Sequence, residues 1–241
     1  MSKIPKIPDE VFQEITDDFK KTFGDDLITI ILYGSAARGE YIYKKSDINF
    51  LIVLSEQGIQ QLRNALSLIP KWNKKKVSTP LVLTRKYIQS ALDSFPIEFL
   101  TMKQHYQVVY GEDVLSEIEI KPEHLRLQCE RELRGKLLHL REGYLNTNGK
   151  TDLIKRLIRF SLPAFASIFS ALIHLKNVEV PGSKQQIFIE TANLFNLDSE
   201  VFKKILNLEA MKPKLSKEQI NHLLEQYIDQ IHKLTNIVDE L

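Results

Sequence analysis

Asp47 and Asn49 stand one residue apart in the run Ser46-Asp47-Ile48-Asn49, which leads into the apolar stretch Phe50-Leu51-Ile52-Val53-Leu54. In an extended chain alternate side chains share a face, so these two project together while Ile48 and Phe50 point into a core. Hard cations such as Mg2+ or Mn2+ favour oxygen ligands and share them with substrate phosphates. Upstream, with eleven residues between, lies Gly34-Ser35. A glycine there lets backbone N–H groups approach a phosphate closely, and the serine adds a hydroxyl donor. Ala36-Ala37-Arg38 can then begin a helix whose N-terminus favours an anion. A third acid, Glu98, sits among apolar neighbours in Pro96-Ile97-Glu98-Phe99-Leu100. Burying a lone carboxylate is expensive, so it pairs, binds a metal or takes part in chemistry. Asp47, Asn49 and Glu98 together suit two divalent cations that clamp an in-line phosphoryl displacement.

These residues need a sheet and its turns to position them. Val11, Phe12, Ile15, Phe19 and Phe23 recur at helical spacing, with Asp9 as a cap and Gly24 as the end of the helix. Strands are expected over 27–33 and 47–54, where isoleucine-rich apolar runs suit buried strands. A helix over 56–71 would present Ile59, Leu62, Leu66 and Ile69 on one side. Further strands are expected over 80–83, 97–102 (carrying Glu98) and 107–110, the last at an edge, with a short helix over 86–92. Beyond residue 121 leucines recur at helical spacing over 123–145, 151–175, 183–195, 199–208 and 217–241, with breaks at 146–149, 181–182, 197–198 and near Pro213. The expected class is α+β: an N-terminal mixed sheet with helices over residues 1–120, then an all-helical bundle over 121–241.

Composition narrows the setting. Thirty-three Lys and Arg against 31 Asp and Glu give no general electrostatic attraction to nucleic acid or an anionic membrane. The single cysteine, Cys129, excludes an internal disulfide framework and reads as a small buried apolar side chain in a reducing compartment. The N-terminus lacks the apolar core of a secretory signal. The apolar stretch 161–175 is short for a membrane span and reads as the central helix of a bundle. A cytoplasmic protein is expected, and a homodimer stays open.

The glycine-serine turn, the acid-apolar-polar strand start and the later carboxylate resemble the nucleotidyltransferase superfamily of DNA polymerase beta type. Within it, the resemblance is to the small bacterial branch that contains kanamycin-type aminoglycoside nucleotidyltransferases, in which a helical domain follows the transferase domain. It covers about the first 115 residues. The resemblance implies that Gly34, Ser35 and neighbouring amides hold the phosphates of a nucleoside triphosphate, with Arg38 inside the motif. It implies that Asp47 bridges two metal ions, and that Glu98 binds the catalytic metal and helps activate the attacking hydroxyl.

Asn49 departs from the pattern, because the family has a second metal-bridging acid there. Its amide oxygen can still ligate, but a unit charge is lost; two charges about 4 Å apart interact by roughly 4 kcal/mol at an effective dielectric near 20. Three readings stay open: transfer of a nucleoside monophosphate from a Mg-nucleotide to a hydroxyl on a small molecule or protein, nucleotide sensing without catalysis, and one half of a toxin–antitoxin pair. Two further clusters have bland alternatives. The run 71–76, with Trp72 among lysines, suits either a base-stacking patch or a solvated helix end. Arg134 and His139 have the spacing of the arginine–histidine signature of HEPN-type ribonucleases, or are surface polarity.

Overall fold

Strand β1, Leu27–Tyr33, is apolar on both faces because helices cover both, and Ile30, Ile31 and Leu32 are almost wholly buried. The structure, a computed structural model, describes residues 4–208, 210 and 215–241. The expected break near Pro213 lies outside the described residues. By contacts the chain divides into two compact units, residues 1–120 and 121–241.

In the first unit β1 is central in a four-stranded mixed sheet of order β3-β2-β1-β4. It runs antiparallel to β2 (Asn49–Leu54) and to the edge strand β4 (Tyr106–Gly111), while β2 runs parallel to β3 (Leu81–Thr84). Side-chain alternation sorts the sheet into two faces. On one face Ile30, Leu32, Phe50, Ile52 and Leu54 pack with Ile15, Phe19 and Phe23 of α1 (Phe12–Phe23) and Trp72 of α2 (Leu68–Asn73). On the other, Ile31, Leu51, Val53 and Leu83 pack with Ile88 of α3 (Arg85–Ala91) and with Phe99 and Met102 of α4 (Pro96–Gln104).

The structure departs from the expected elements in several places. The segment expected as a strand over 97–102 is helix α4. Pro96 holds the first-turn position, where its fixed φ is pre-set for a helix, and consecutive Phe99 and Leu100 are both buried, which strand alternation into one core does not produce. The helix expected over 56–71 is instead a 3-10 stretch, Gly58–Ala65, kinked at Gln61, followed by α2. Ile59 of its apolar stripe packs against the core, while Leu62 and Leu66 stay 42% and 65% exposed, so the stripe is only partly used. Before α1, Pro8–Val11 forms a 3-10 turn, and Asp9 lies within it rather than capping the helix.

Among the described residues the second unit has five helices: α5 (Pro122–Asn146), α6 (Thr151–Leu175), α7 (Lys184–Leu194), α8 (Ser199–Leu206) and α9 (Lys217–Asp239). Ser183, Asp198 and Ser216 cap the last three, each side chain accepting a backbone N–H from the first turn. Helix α6 packs against α5, α7 and α9. Its Phe165 and Phe169 join Phe188, Phe202 and Tyr227 in a cluster of rings 4.8–6.2 Å apart, mostly edge to face. Helix α6 covers the 151–175 expected from sequence; at 25 residues it is long and apolar enough to cross a membrane by length and composition alone, a test that the core helix of a bundle also passes. Its apolar face is occupied in the bundle, where Ile154, Ile158, Phe165, Phe169, Leu172 and Ile173 are buried.

Candidate active site

Tyr33, the last residue of β1, pairs with Asn49, the first of β2, so the chain leaves β1 beside the Asp47-Asn49 strand start. The turn that follows needs its glycine. Gly34 has φ +79°, and a Cβ there would lie 3.1 Å from Asn49 Nδ2. The structure therefore brings the glycine-serine turn and the polar strand start into contact.

Residues 34–39 form consecutive turns and no helix, which corrects the helix start expected at Ala36-Ala37-Arg38. Arg38 N–H donates to Gly34 O at 3.1 Å, Gly39 N–H to Ala36 O at 3.3 Å, and Glu40 N–H to Ser35 O at 2.9 Å. The turn's own hydrogen-bond network begins at Arg38, leaving the N–H groups of Ser35, Ala36 and Ala37 outside it. Successive backbone N–H groups of this kind make an anion-binding concavity without a helix. The Arg38 guanidinium is engaged by Glu40, Nε to Oε2 at 3.0 Å.

Asp47 lies just ahead of β2, with its side chain 56% exposed and its Oδ1 3.5 Å from Lys76 Nζ. Ile48, fully buried, anchors it by a parallel bridge to Val77. Ser78 N–H donates to Ile48 O at 2.9 Å, so the chain flanking the Asp47-Asn49 edge carries Ser78 and Thr79 and no acid. Asn49, half-buried, belongs by alternation to the sheet face of Leu51 and Val53. Helix α4 packs on that face through Phe99 and Met102. Glu98 is an exposed residue in the first turn of α4, on the side of the sheet that Asn49 faces, and not a strand side chain beside Asp47.

Among the described residues no three His, Cys, Asp or Glu side chains are grouped to hold a metal ion. The Asp47 carboxylate and the Asn49 carboxamide oxygen fit a hard divalent cation in donor type. They supply one negative charge, and Lys76 stands beside it.

Of the lysine run only Trp72 belongs to the core of the unit. Trp72 is 1% exposed, Lys71 pairs with Glu14 at 3.0 Å and Asp18 at 2.5 Å, and Lys75 pairs with Glu14. A base-stacking patch does not describe it, because the ring is buried, whereas Asn73 and Lys74 are exposed at the end of α2 as a solvated helix end requires. The part missed from sequence is Lys76, within the run; the pairing of Val77, the first apolar residue after it, with Ile48 sets it beside Asp47, and no local signal gives that pairing. In the second unit Arg134 contacts Glu130 at 2.8 Å and Asp239 at 3.0 Å, while His139 lies 3.5 Å from Glu142 with 75% of its side chain exposed. Five residues apart on one helix, they point about 140° from each other and form separate surface pairs.

The family model of the nucleotidyltransferase domain matches residues 13–104, from α1 to the end of α4. This part of the chain is a nucleotidyltransferase domain by that match. Among solved structures, the chain is similar to spectinomycin adenyltransferase AAD(9) from Enterococcus faecialis, determined with ATP and spectinomycin. The match covers 93% of this chain and 99% of that one, with a TM-score of 0.50 and 15% identity, which establishes likeness of fold. No curated protein matches the chain. The nucleotidyltransferase domain thus contains every residue considered above for phosphate and metal binding, Gly34 to Glu98.

Proposed function

We propose that the nucleotidyltransferase domain binds a nucleoside triphosphate with its phosphates at the Gly34-Ser35 turn and transfers the nucleoside monophosphate to a hydroxyl on a small molecule or a protein. The observation that carries this reading is the closeness of Gly34 and Asn49, whose Nδ2 would lie 3.1 Å from a Cβ at position 34, so that the glycine-serine turn stands beside the polar strand start. The amides of Ser35, Ala36 and Ala37 and the Ser35 hydroxyl orient the phosphates. The acceptor oxygen forms a bond to the α-phosphorus, and the bond from that phosphorus to the bridging oxygen breaks. Pyrophosphate leaves with the electron pair. The hydroxyl proton passes to a carboxylate, for which Glu98 is our candidate. Asp47 and Asn49 would hold Mg2+ or Mn2+ together with the phosphates, and such a cation offsets charge developing on the phosphoryl oxygens. A nucleotide substrate and a reducing setting for Cys129 suit the cytoplasm. The AAD(9) structure, with ATP and spectinomycin, supports a small-molecule acceptor by likeness of fold alone.

Incubating the full chain with α-phosphate-labelled ATP or GTP, Mg2+ or Mn2+, and aminoglycoside-like or protein acceptors tests this directly. Label transfer that disappears in Asp47→Ala is the expected result; nucleotide binding without transfer to any acceptor, or to the chain itself, goes against it. That second outcome matches a reading as a nucleotide sensor, which is favoured by the Lys76–Asp47 ion pair and by the missing charge at Asn49.

A further inference from the structure

Lys76 has a left-handed backbone, φ 64°, a conformation that costs a lysine what it would not cost a glycine. Its surroundings impose it. Ile48 N–H donates to Lys76 O at 2.8 Å, Ser78 N–H donates to Ile48 O at 2.9 Å, and the bridge between them pairs two buried side chains, Val77 and Ile48. Buried Trp72 and the ion pairs of Lys71 and Lys75 with α1 hold the helix that leads into this segment. The backbone thus delivers one lysine of the run to the residue next to Asp47, and its Nζ comes 3.5 Å from Asp47 Oδ1. The neighbouring cation of the turn, Arg38, is turned toward Glu40.

Asp47 contributes one negative charge, Asn49 none, and Lys76 one positive charge. A strand start of that composition does not repel a polyphosphate as a cluster of carboxylates would. The ammonium is a compact point charge on a flexible stem, suited to phosphate oxygens, and 41% of the side chain is accessible. We infer that Lys76 is a resident cation of the triphosphate site, so that this chain binds a nucleoside triphosphate without a divalent cation. This rests on the proposed placement of the phosphates at the Gly34-Ser35 turn. Lys76 exchanges Asp47 for the phosphates when nucleotide binds. A divalent cation, which transfer requires in the proposed reaction, competes with Lys76 for the same carboxylate.

The test is calorimetric titration of the full chain with ATP and with GTP, in EDTA and in Mg2+. Wild type is expected to bind one of them in EDTA with an affinity within about tenfold of that in Mg2+, and Lys76→Met to lose about tenfold or more in EDTA, the scale set by one charge pair near a surface. Lys76→Gly, which relaxes the positive φ while removing the ammonium, should lose affinity equally, so that a folding defect in one variant is not mistaken for the effect. Lys74→Met removes the same charge two residues away and should bind as wild type. Binding that needs Mg2+ in wild type overturns the inference and leaves the proposed function standing. Unchanged EDTA binding in both Lys76 variants overturns it as well. No binding in either condition overturns the phosphate site itself, and the inference with it.

Discussion

The carboxamide of Asn49 stands close against position 34, with Nδ2 3.1 Å from where a Cβ would lie. Gly34→Ala meets both this contact and a φ of +79°. Strain of this kind costs of order 1–3 kcal/mol. The variant should therefore unfold at lower denaturant concentration and bind nucleoside triphosphate more weakly, both read on the same preparation. Full nucleotide affinity in a destabilised variant would separate the turn from the phosphate site.

Asn49→Asp restores a charge without changing shape. Mn2+ titration followed by electron paramagnetic resonance should show binding tightened by about tenfold or more, on the scale of a charge pair of roughly 1–4 kcal/mol. A titration curve that superimposes on wild type would remove Asn49 from the metal site.

Glu14 ties α1 to the end of α2. The Lys75 hydrogen bond, against an opposing effect of burial, holds its carboxyl below the ordinary value of 4.5. A carboxyl lowered in the folded state stabilises above its unfolded pKa and loses that contribution as pH falls through the folded value. With Glu14 43% exposed, Glu14→Gln should cost only about 0.2–1 kcal/mol at neutral pH, less in high salt. Urea unfolding at neutral pH and again well below the folded pKa should show the difference between variant and wild type shrinking in acid. A constant difference would mean that the pair contributes through packing.

Cys129 is fully buried in α5, and burial, with a lesser effect of Glu132, pushes its thiol up to about 12. The native chain should resist iodoacetamide at neutral pH and take up one equivalent after denaturation. Rapid modification of the native protein would contradict the packing of α5.

The strands that build the candidate site were legible because their apolar runs are short and bounded by turns. Leu27–Tyr33 stands as expected, and Asn49–Leu54 differs only in that Asp47 and Ile48 precede the regular pairing. Helix α6 was legible to the residue from its leucine and phenylalanine spacing. The segment that carries Glu98 reads as a strand in sequence and is a helix, because a six-residue run of mostly apolar residues cannot be assigned by periodicity alone; Pro96 is the signal for a helix. Residues 58–65 failed for the opposite reason, since a helical stripe is present in sequence but the fold packs Ile59 against the core and leaves Leu62 and Leu66 in solvent. Lys76 was out of reach of local pattern, because its place beside Asp47 comes from a parallel pairing between segments nearly thirty residues apart.

The most direct measurement is a structure of the full chain crystallised with Mn2+ and a non-hydrolysable triphosphate of whichever nucleotide it binds best. The account predicts phosphate oxygens on the amides of Ser35 to Ala37, with anomalous Mn2+ density at Asp47 and Asn49. Phosphates bound elsewhere on the domain, with the Gly34-Ser35 turn vacant, would contradict it.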